Sequence, residues 1–499
     1  KSRLLRHRMY RTIPKRSATI NMRRLALVLS STLLTACAVG PDFTRPDATT
    51  PDAFRMAEAG GNAASIANTP WWELLKDQEL QKLIRTALEE NKDLQRAAAA
   101  VEEFQARLFI AKTDFAPQMN VTSNAPLFGR KTNFLFPGFP NPFNYYLQGN
   151  LSWEIDIWGR IRRSNEAARG DLLSREESRR AIVLQLVSGV AEAYFELLQF
   201  DMQLDIARRT LKSWEESVRI AQARLRQGMI SKLDADQFEA ERANAAAKAA
   251  EFERQKVQKE NQLSVLLGRN PGRIARGHSL TEQVMPPDVP PGLPSELLQR
   301  RPDILQAEQD LAAATARIGM AKADRFPKLS ITGILGVASP HLSRLVANET
   351  AFGVAGPGFA GPLLNAQILG FQQKAAEAQA RQAVAQYEQS VLVAFKEVED
   401  SLVAVSTVRE QRTAQLQQVD ALRSALSLAN LRYKGGLANY LDVLIAQRNL
   451  FEAELALMGT HRLHLVSIVQ LYKALGGGWT PEGQPPVQAL PLVSTQETR

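Results

Sequence analysis

Arg224-Leu225-Arg226-Gln227-Gly228, with Leu233-Asp234 just behind it, returns about 210 residues later as Arg432-Tyr433-Lys434-Gly435-Gly436 followed by Leu441-Asp442. Each copy stands where a long run without proline turns back on itself: no proline occurs between Pro142 and Pro271, or between Pro362 and Pro481. Arg160 to Arg226 reads as one helix of about 65 residues, roughly 100 Å at the α-helical rise. Ordinary globular helices are several times shorter. Ile182, Leu186, Val190, Tyr194 and Leu197 step by three and four, the spacing of one apolar helix face. Helices of this length imply a coiled-coil-like rod or tube. The Ala-rich runs at 97–100 and 245–250 permit close helix packing.

Outward from the turns the duplication continues. Ala111-Lys112-Thr113-Asp114-Phe115-Ala116-Pro117 matches Ala321-Lys322-Ala323-Asp324-Arg325-Phe326-Pro327, and Leu267-Gly268 matches Leu475-Gly476. Two tandem repeats are therefore expected, over 71–270 and 295–478, with a Pro-rich link at 271–294 between them. Each repeat opens with a helix (Asn91–Phe115; Pro302–Arg325), passes through two strand-like stretches, and then enters its long helical hairpin.

Leu147 to Ile157 alternates apolar and polar residues over the length of a barrel strand. Leu329 to Leu335 begins the same way, 118–122 matches weakly, and 352–361 is interrupted by Pro357. Alternation with one polar face is the pattern of transmembrane β-barrels, faint in any single strand. A small soluble sheet is the other reading of the strands alone. Four strands cannot close a barrel, and an open sheet in lipid leaves backbone groups unpaired at a cost of several kcal/mol each. If these strands lie in a membrane, the chain has to oligomerise.

The formal charge of +9 suggests a nucleic-acid partner, but it does not belong to the body of the protein. Residues 1–36 hold nine basic residues and no acid; the rest balances 52 basic against 52 acidic residues. No nucleic-acid partner is expected. Residues 1–21 contain no targeting element and read as an N-terminal extension. From Met22, Arg23-Arg24 and the apolar Leu25–Leu34 form an export signal too short to span a bilayer. Leu34-Thr35-Ala36-Cys37 then reads as a lipobox. Cys37, the only cysteine of the chain, is the expected lipidation site and the start of an extended arm over 37–70; Ala38 in place of Asp favours the outer membrane. Residues 479–499 read as a tail.

In order along the chain, these residues resemble the TolC-like outer-membrane factors, and within them the OprM/NodT-type lipoproteins of resistance-nodulation-division efflux systems. The resemblance is carried by Cys37-Ala38-Val39-Gly40-Pro41-Asp42-Phe43, by Trp71-Trp72 with Leu80, Leu83, Ile84 and Asn91, by Arg301-Pro302-Asp303-Ile304 with Phe326-Pro327, and by Tyr433-Lys434-Gly435-Gly436 with Leu444-Ile445-Ala446-Gln447. It implies a mainly α fold with a transmembrane β part. A homotrimer would build a twelve-stranded outer-membrane β-barrel above a twelve-helix periplasmic α-barrel. It also implies an inner-membrane pump and a periplasmic adaptor as partners, with drugs or other small solutes as cargo. Leu364-Asn365-Ala366-Gln367-Ile368 departs from the family's usual Phe-Asp-Gly-Gly-Arg-like stretch at one strand-to-helix join.

The family closes its periplasmic end where the hairpins turn, here near Gln227–Ser231 and Gly435–Asn439. By resemblance, Asp234 and Asp442 line the gate and Tyr433 is its tyrosine. Read alone, Asp234 and Asp442 are acids three residues after the N-cap residues Ser231 and Asn439, where they would meet free backbone N–H groups. Ala438 stands where one family member has arginine, Ile445 where it has a second acid, and Leu233 where it has a polar residue. Closure is therefore expected to lean on packing more than on salt bridges.

Catalysis has no support in the sequence: no phosphate loop and no nucleophile elbow occurs. His461 and His464 are three apart on a helix, but no other histidine or cysteine is near them; surface placement, not a metal site, is expected. No cofactor beyond the lipid on Cys37 is implied. Two rivals remain: a type I secretion channel, which the lipid anchor disfavours, and a structural periplasmic lipoprotein, which the alternation at Leu147–Ile157 disfavours.

Overall fold

The computed structural model describes residues 38–47, 50–51, 53–54, 75–125, 145–284, 294–362 and 365–477. The extension at 1–21, the export signal, Cys37, Trp71-Trp72, residues 285–293 of the Pro-rich link and the tail lie outside the described residues.

Two helices, α1 (Gln78–Glu90) and α2 (Lys92–Thr113), lead into strands β1 (Gln118–Asn124) and β2 (Tyr145–Ile155). The first long hairpin follows as α3 (Arg160–Arg226) and α4 (Lys232–Leu266). The second repeat runs α5 (Pro294–Arg300), α6 (Pro302–Ala323), β3 (Lys328–Ser339), β4 (Ala351–Ala360), α7 (Ala366–Lys434) and α8 (Tyr440–Ala474). The expected duplication and both very long helices are thus present, at 67 and 69 residues. Strand β3 runs four residues past the clean alternation, and Pro357 sits inside β4, an edge strand of this sheet, opposite Ile331.

The chain divides into two compact units. One takes in 106–170 and 312–382 with the arm up to Thr44; the other comprises 45–105, 171–311 and residue 383 onward. The first unit holds an antiparallel sheet in the order β1-β2-β3-β4. Its register sorts the residues by face. Met119 pairs with Leu151, Trp153 with Ile331, Ile155 with Leu329, and Leu147 with Val337 on one face. Asn120 pairs with Asn150, Thr122 with Gln148, Ser152 with Thr332, and Glu154 with Ser330 on the other. The polar face is tied laterally, Asn150 Nδ2 donating to Thr122 Oγ1 at 3.1 Å. Met119, Val121, Leu335 and Phe359 are exposed on the apolar face. Where β2 gives way to α3, Asp156 accepts from the backbone N–H groups of Ile161 (3.1 Å) and Arg162 (2.9 Å), satisfying two of the free donors of the helix start. Trp158 stacks on Phe326 at 4.7 Å and donates to the Pro327 carbonyl at 2.7 Å, which fastens the first join to the second.

The second unit holds the main core, built from α1, the middle of α3 and the returning helices α4 and α8. Helix α3 contains an 18-residue stretch of mean hydropathy 1.5, but 61% of it is buried within the fold, so this is a core helix. Asp77 is buried and fully engaged: it accepts from the backbone N–H groups of Glu79 and Leu80, from Tyr194 Oη at 2.9 Å and from Gln283 Nε2 at 2.7 Å. Burial beside Asp77 raises the Tyr194 phenol far above its ordinary range, so it stays a donor.

The two repeats cap their returning helices at matching positions. Asn91 Nδ2 donates to the Leu266 carbonyl at 2.8 Å at the end of α4, and Arg301 Nη1 donates to the Ala474 carbonyl at 2.9 Å at the end of α8. Arg301 is also held by Asp303 and by Glu397, each at 2.7 Å. Pro302 occupies the first position of α6, where no N–H is needed.

The expected surface placement of His461 and His464 is overturned: each is only 4% exposed. His464 through Val469 are all buried, so helix α8 is packed round most of its circumference here, and the exposed position of this stretch is taken by Leu463. Burial next to Arg412 and His464 pushes His461 down to about 4, leaving it neutral at pH 7.

Candidate functional site

The turn ends of the two hairpins meet within the second unit. Each long helix ends the same way. Gly228 N donates to the Leu225 carbonyl and Met229 N to the Arg224 carbonyl; Gly436 N donates to the Tyr433 carbonyl and Leu437 N to the Arg432 carbonyl. These are Schellman ends, and their glycines lie in the left-handed region at φ 71° and 73°.

Between the hairpins an aromatic ladder runs from Trp214 on α3 to Phe238 on α4 (6.3 Å, edge-on), on to Tyr440 on α8 (4.3 Å, stacked) and then to Tyr433 on α7 (4.9 Å, edge-on). Val218, Ala221, Ala245 and Leu444 complete this buried cluster. The Arg224 guanidinium lies 5.4 Å from the centre of the Tyr433 ring and donates to its hydroxyl. Burial raises the Tyr440 phenol, against the opposing pull of Ser217 and Arg224. Beside the ladder opens a cavity of about 500 Å³, whose charged walls are Arg224, Lys434 and Asp234.

Of the residues singled out from the sequence, Tyr433 is at this contact, where its partner is Arg224. Asp234 lines the cavity while serving its own helix: it accepts from Ser231 N at 3.0 Å and Oγ at 2.8 Å, and Ser231 Oγ accepts from Asp234 N at 3.1 Å. That is a complete capping box. Asp442 is exposed one turn into α8, where Asn439 alone supplies the side-chain cap, to Leu441 N. Neither aspartate has an ion-pair partner among the described residues. Sequence reasoning missed Trp214, Phe238, Tyr440 and Arg224. Arg224 lay inside the repeated pentapeptide, yet only the folded chain brings it to a residue 209 positions away.

No group of three or more His, Cys, Asp or Glu among the described residues is placed to hold a metal.

Comparison with known proteins places this architecture. The chain matches the outer membrane efflux protein family over residues 83–269 and 293–477, one match per repeat. It is 35% identical over 462 residues to the toluene efflux pump outer membrane protein TtgC of Pseudomonas putida, covering 91% of this chain and 95% of that protein. It is 32% identical over 467 residues to the probable outer membrane lipoprotein SilC of Salmonella typhimurium, covering 92% and 100%. The open-state MtrE outer membrane channel of Neisseria gonorrhoeae superposes with a TM-score of 0.78 at 29% identity, covering 90% of this chain and all of that one. The chain belongs to the outer membrane efflux protein family. It has the TolC-like tandem-repeat fold, resides in the outer membrane, and forms the exit channel of an efflux system.

Proposed function

We propose that three copies of this chain assemble into one duct that an inner-membrane pump of the resistance-nodulation-division type and a periplasmic adaptor load with drugs or other small solutes. The observation that carries the assembly is the sheet. Over β1, β2 and the first part of β3 its register puts apolar residues on one face and polar side chains on the other, with Ile334, Phe352 and Val354 as apolar members of the second face, while β1 and β4 are each paired on one side only. In lipid those two edges must be paired, and head-to-tail addition of further copies pairs them. The copy number of three follows from the family resemblance and gives an even, closed wall of twelve strands. The names of relatives that discharge toluene, and of one called a lipoprotein, favour small-solute efflux and lipidation at Cys37.

The gate lies at the hairpin turns. Asp442 on the second hairpin and Asp234 on the first place carboxylates at the mouth, and threefold rings of them attract cations. Tyr433, held by Arg224, links the two hairpins of one copy.

The test is conductance of the purified protein in planar bilayers with its oligomeric mass measured on the same sample. Trimers with discrete, cation-favouring openings are expected, and Asp442→Ala is expected to reduce that preference. A monomer that leaves the membrane without detergent would overturn the reading.

A further inference from the structure

The face of the sheet that turns away from Met119, Leu151 and Trp153 is divided across its width. On β1 and β2 it carries amides and hydroxyls that bond to one another: Gln148 Nε2 donates to Asn150 Oδ1 at 3.2 Å, and Asn150 Nδ2 donates to Thr122 Oγ1 at 3.1 Å. On β3 and β4 the polarity changes along the strands. Ser330 and Thr332 stand nearest the helix joins, opposite Gly358 and Gly356. One row further Ile334 lies opposite Val354, and in the next row Phe352 lies opposite Gly336. Neither β3 nor β4 adds a polar side chain to those two rows. Side chains directly opposite one another sit about 5 Å apart and diagonal ones about 7–8 Å, so the three make one patch on the scale of a substituted aromatic ring. Val354 is 67% exposed and Ile334 37%, while Phe352 is half-buried. A Cβ on Gly356, beside Val354, would meet no atom within 4 Å, so the approach to the patch is open.

The side on which the patch lies says what meets it. The opposite face of the sheet presents Leu147, Leu151, Trp153, Leu329, Ile331 and Leu335 and suits the lipid. This face therefore lines the duct, and lumen residues of a barrel tune selectivity. When copies add head to tail, β4 is followed by β1 of the next copy, so each apolar patch is bounded on both sides by a polar sector. No charged side chain shares the two rows of Ile334 and Phe352 on any of the four strands. The group that fits is accordingly uncharged and apolar. Three side chains on an open wall hold such a group weakly, as transit requires, because a conducting site must release what it binds.

We propose that Ile334, Phe352 and Val354 form a contact site for the uncharged aromatic or alkyl part of a solute in transit, so that the barrel wall itself favours apolar cargo. The proposal rests on the oligomeric channel reading above.

The experiment uses the full-length protein in lipid with Gly356→Cys or Ser152→Cys. The two positions share one row of this face, the first beside the patch and the second in the polar sector. Cys37 is the only native cysteine, and the wild type gives its background. Modification by a membrane-impermeant thiosulfonate is timed with and without toluene. Both thiols are expected to react. Toluene at about twice its dissociation constant should slow Gly356→Cys about threefold and leave Ser152→Cys unchanged. Adding Ile334→Thr and Val354→Thr, which keep the branched shape, should remove that protection. Equal slowing at both thiols, or slowing at neither, overturns the site and leaves the channel standing. A Gly356→Cys that stays unreactive while Ser152→Cys reacts also overturns it, since protein, such as the chain's own residues 126–144, then covers the patch. If Leu335→Cys, on the opposite face, reacts as fast as Ser152→Cys, that face is not in lipid and the channel reading itself falls.

Discussion

Single residues show how closely the two repeats copy each other's construction while using different chemistry. Asn91 and Arg301 both seal the C-terminal carbonyls of a returning helix, one with a neutral amide and one with a guanidinium held by Asp303 and Glu397. Removing Asn91 costs a hydrogen bond and a cap, about 1–2 kcal/mol. Removing Arg301 leaves a buried carbonyl without its charged donor and opens two ion pairs to part-exposed carboxylates, about 2–3 kcal/mol. Apparent unfolding temperatures of Asn91→Ala and Arg301→Ala should fall in that order. His461 offers a pH test. Its folded value near 4 lies below the ordinary 6.5, so the unfolded chain binds the extra proton between them. The stabilisation is complete above pH 6.5 and is lost as pH falls towards 4, up to about 3 kcal/mol. Unfolding midpoints measured from pH 7 to 4 should decline less steeply in His461→Gln than in the wild type.

Elements carry predictions of their own. In the sheet, Leu151 and Ser152 are neighbours on opposite faces. Leu151→Arg places a charge on the apolar face and should cost about 2–4 kcal/mol of barrel stability, whereas Ser152→Arg should cost little. Heat-dependent mobility of the folded barrel on a gel reads the difference. At the helix ends, Gly228 lies in open space, so Gly228→Ala meets only the cost of its left-handed backbone, about 1 kcal/mol. A Cβ on Gly268 would sit 2.1 Å from the Glu90 carbonyl oxygen. Gly268→Ala must push α1 away from the end of α4, and its unfolding temperature should drop by several times as much as that of Gly228→Ala.

Over the whole molecule the helices were the most legible part. Proline-free runs of more than a hundred residues with apolar steps of three and four admit few other outcomes, and Arg160–Arg226 falls where the pattern places it. The strands were harder, because β4 carries glycines and a proline where alternation would be read. The face pattern appears only when β1, β2 and β3 are laid in register, and β4 adds no polar side chain to it. The candidate gate was half legible. Its turns and capping acids are local and can be read from four or five residues, but the ladder of Trp214, Phe238, Tyr440 and Tyr433 joins segments up to 226 positions apart. The histidines were misread because periodicity assigns one buried face to a helix, whereas His464 through Val469 of α8 are buried on successive residues. At this scale lipidation is checkable too: Cys37→Ser should abolish incorporation of labelled palmitate and leave the soluble-side fold intact.

By itself the sequence determined the duplication, the length of α3, the turn positions and the capping box of Ser231 and Asp234, since each depends on backbone preferences and hydrogen bonds within a few residues. The tertiary structure decided which face of the sheet is apolar, that Arg301 caps a helix 173 residues away, that His461 is buried and neutral, and that Tyr433 answers to Arg224. Those facts depend on which distant surfaces exclude water from one another, and burial of that kind is settled only when the repeats have packed.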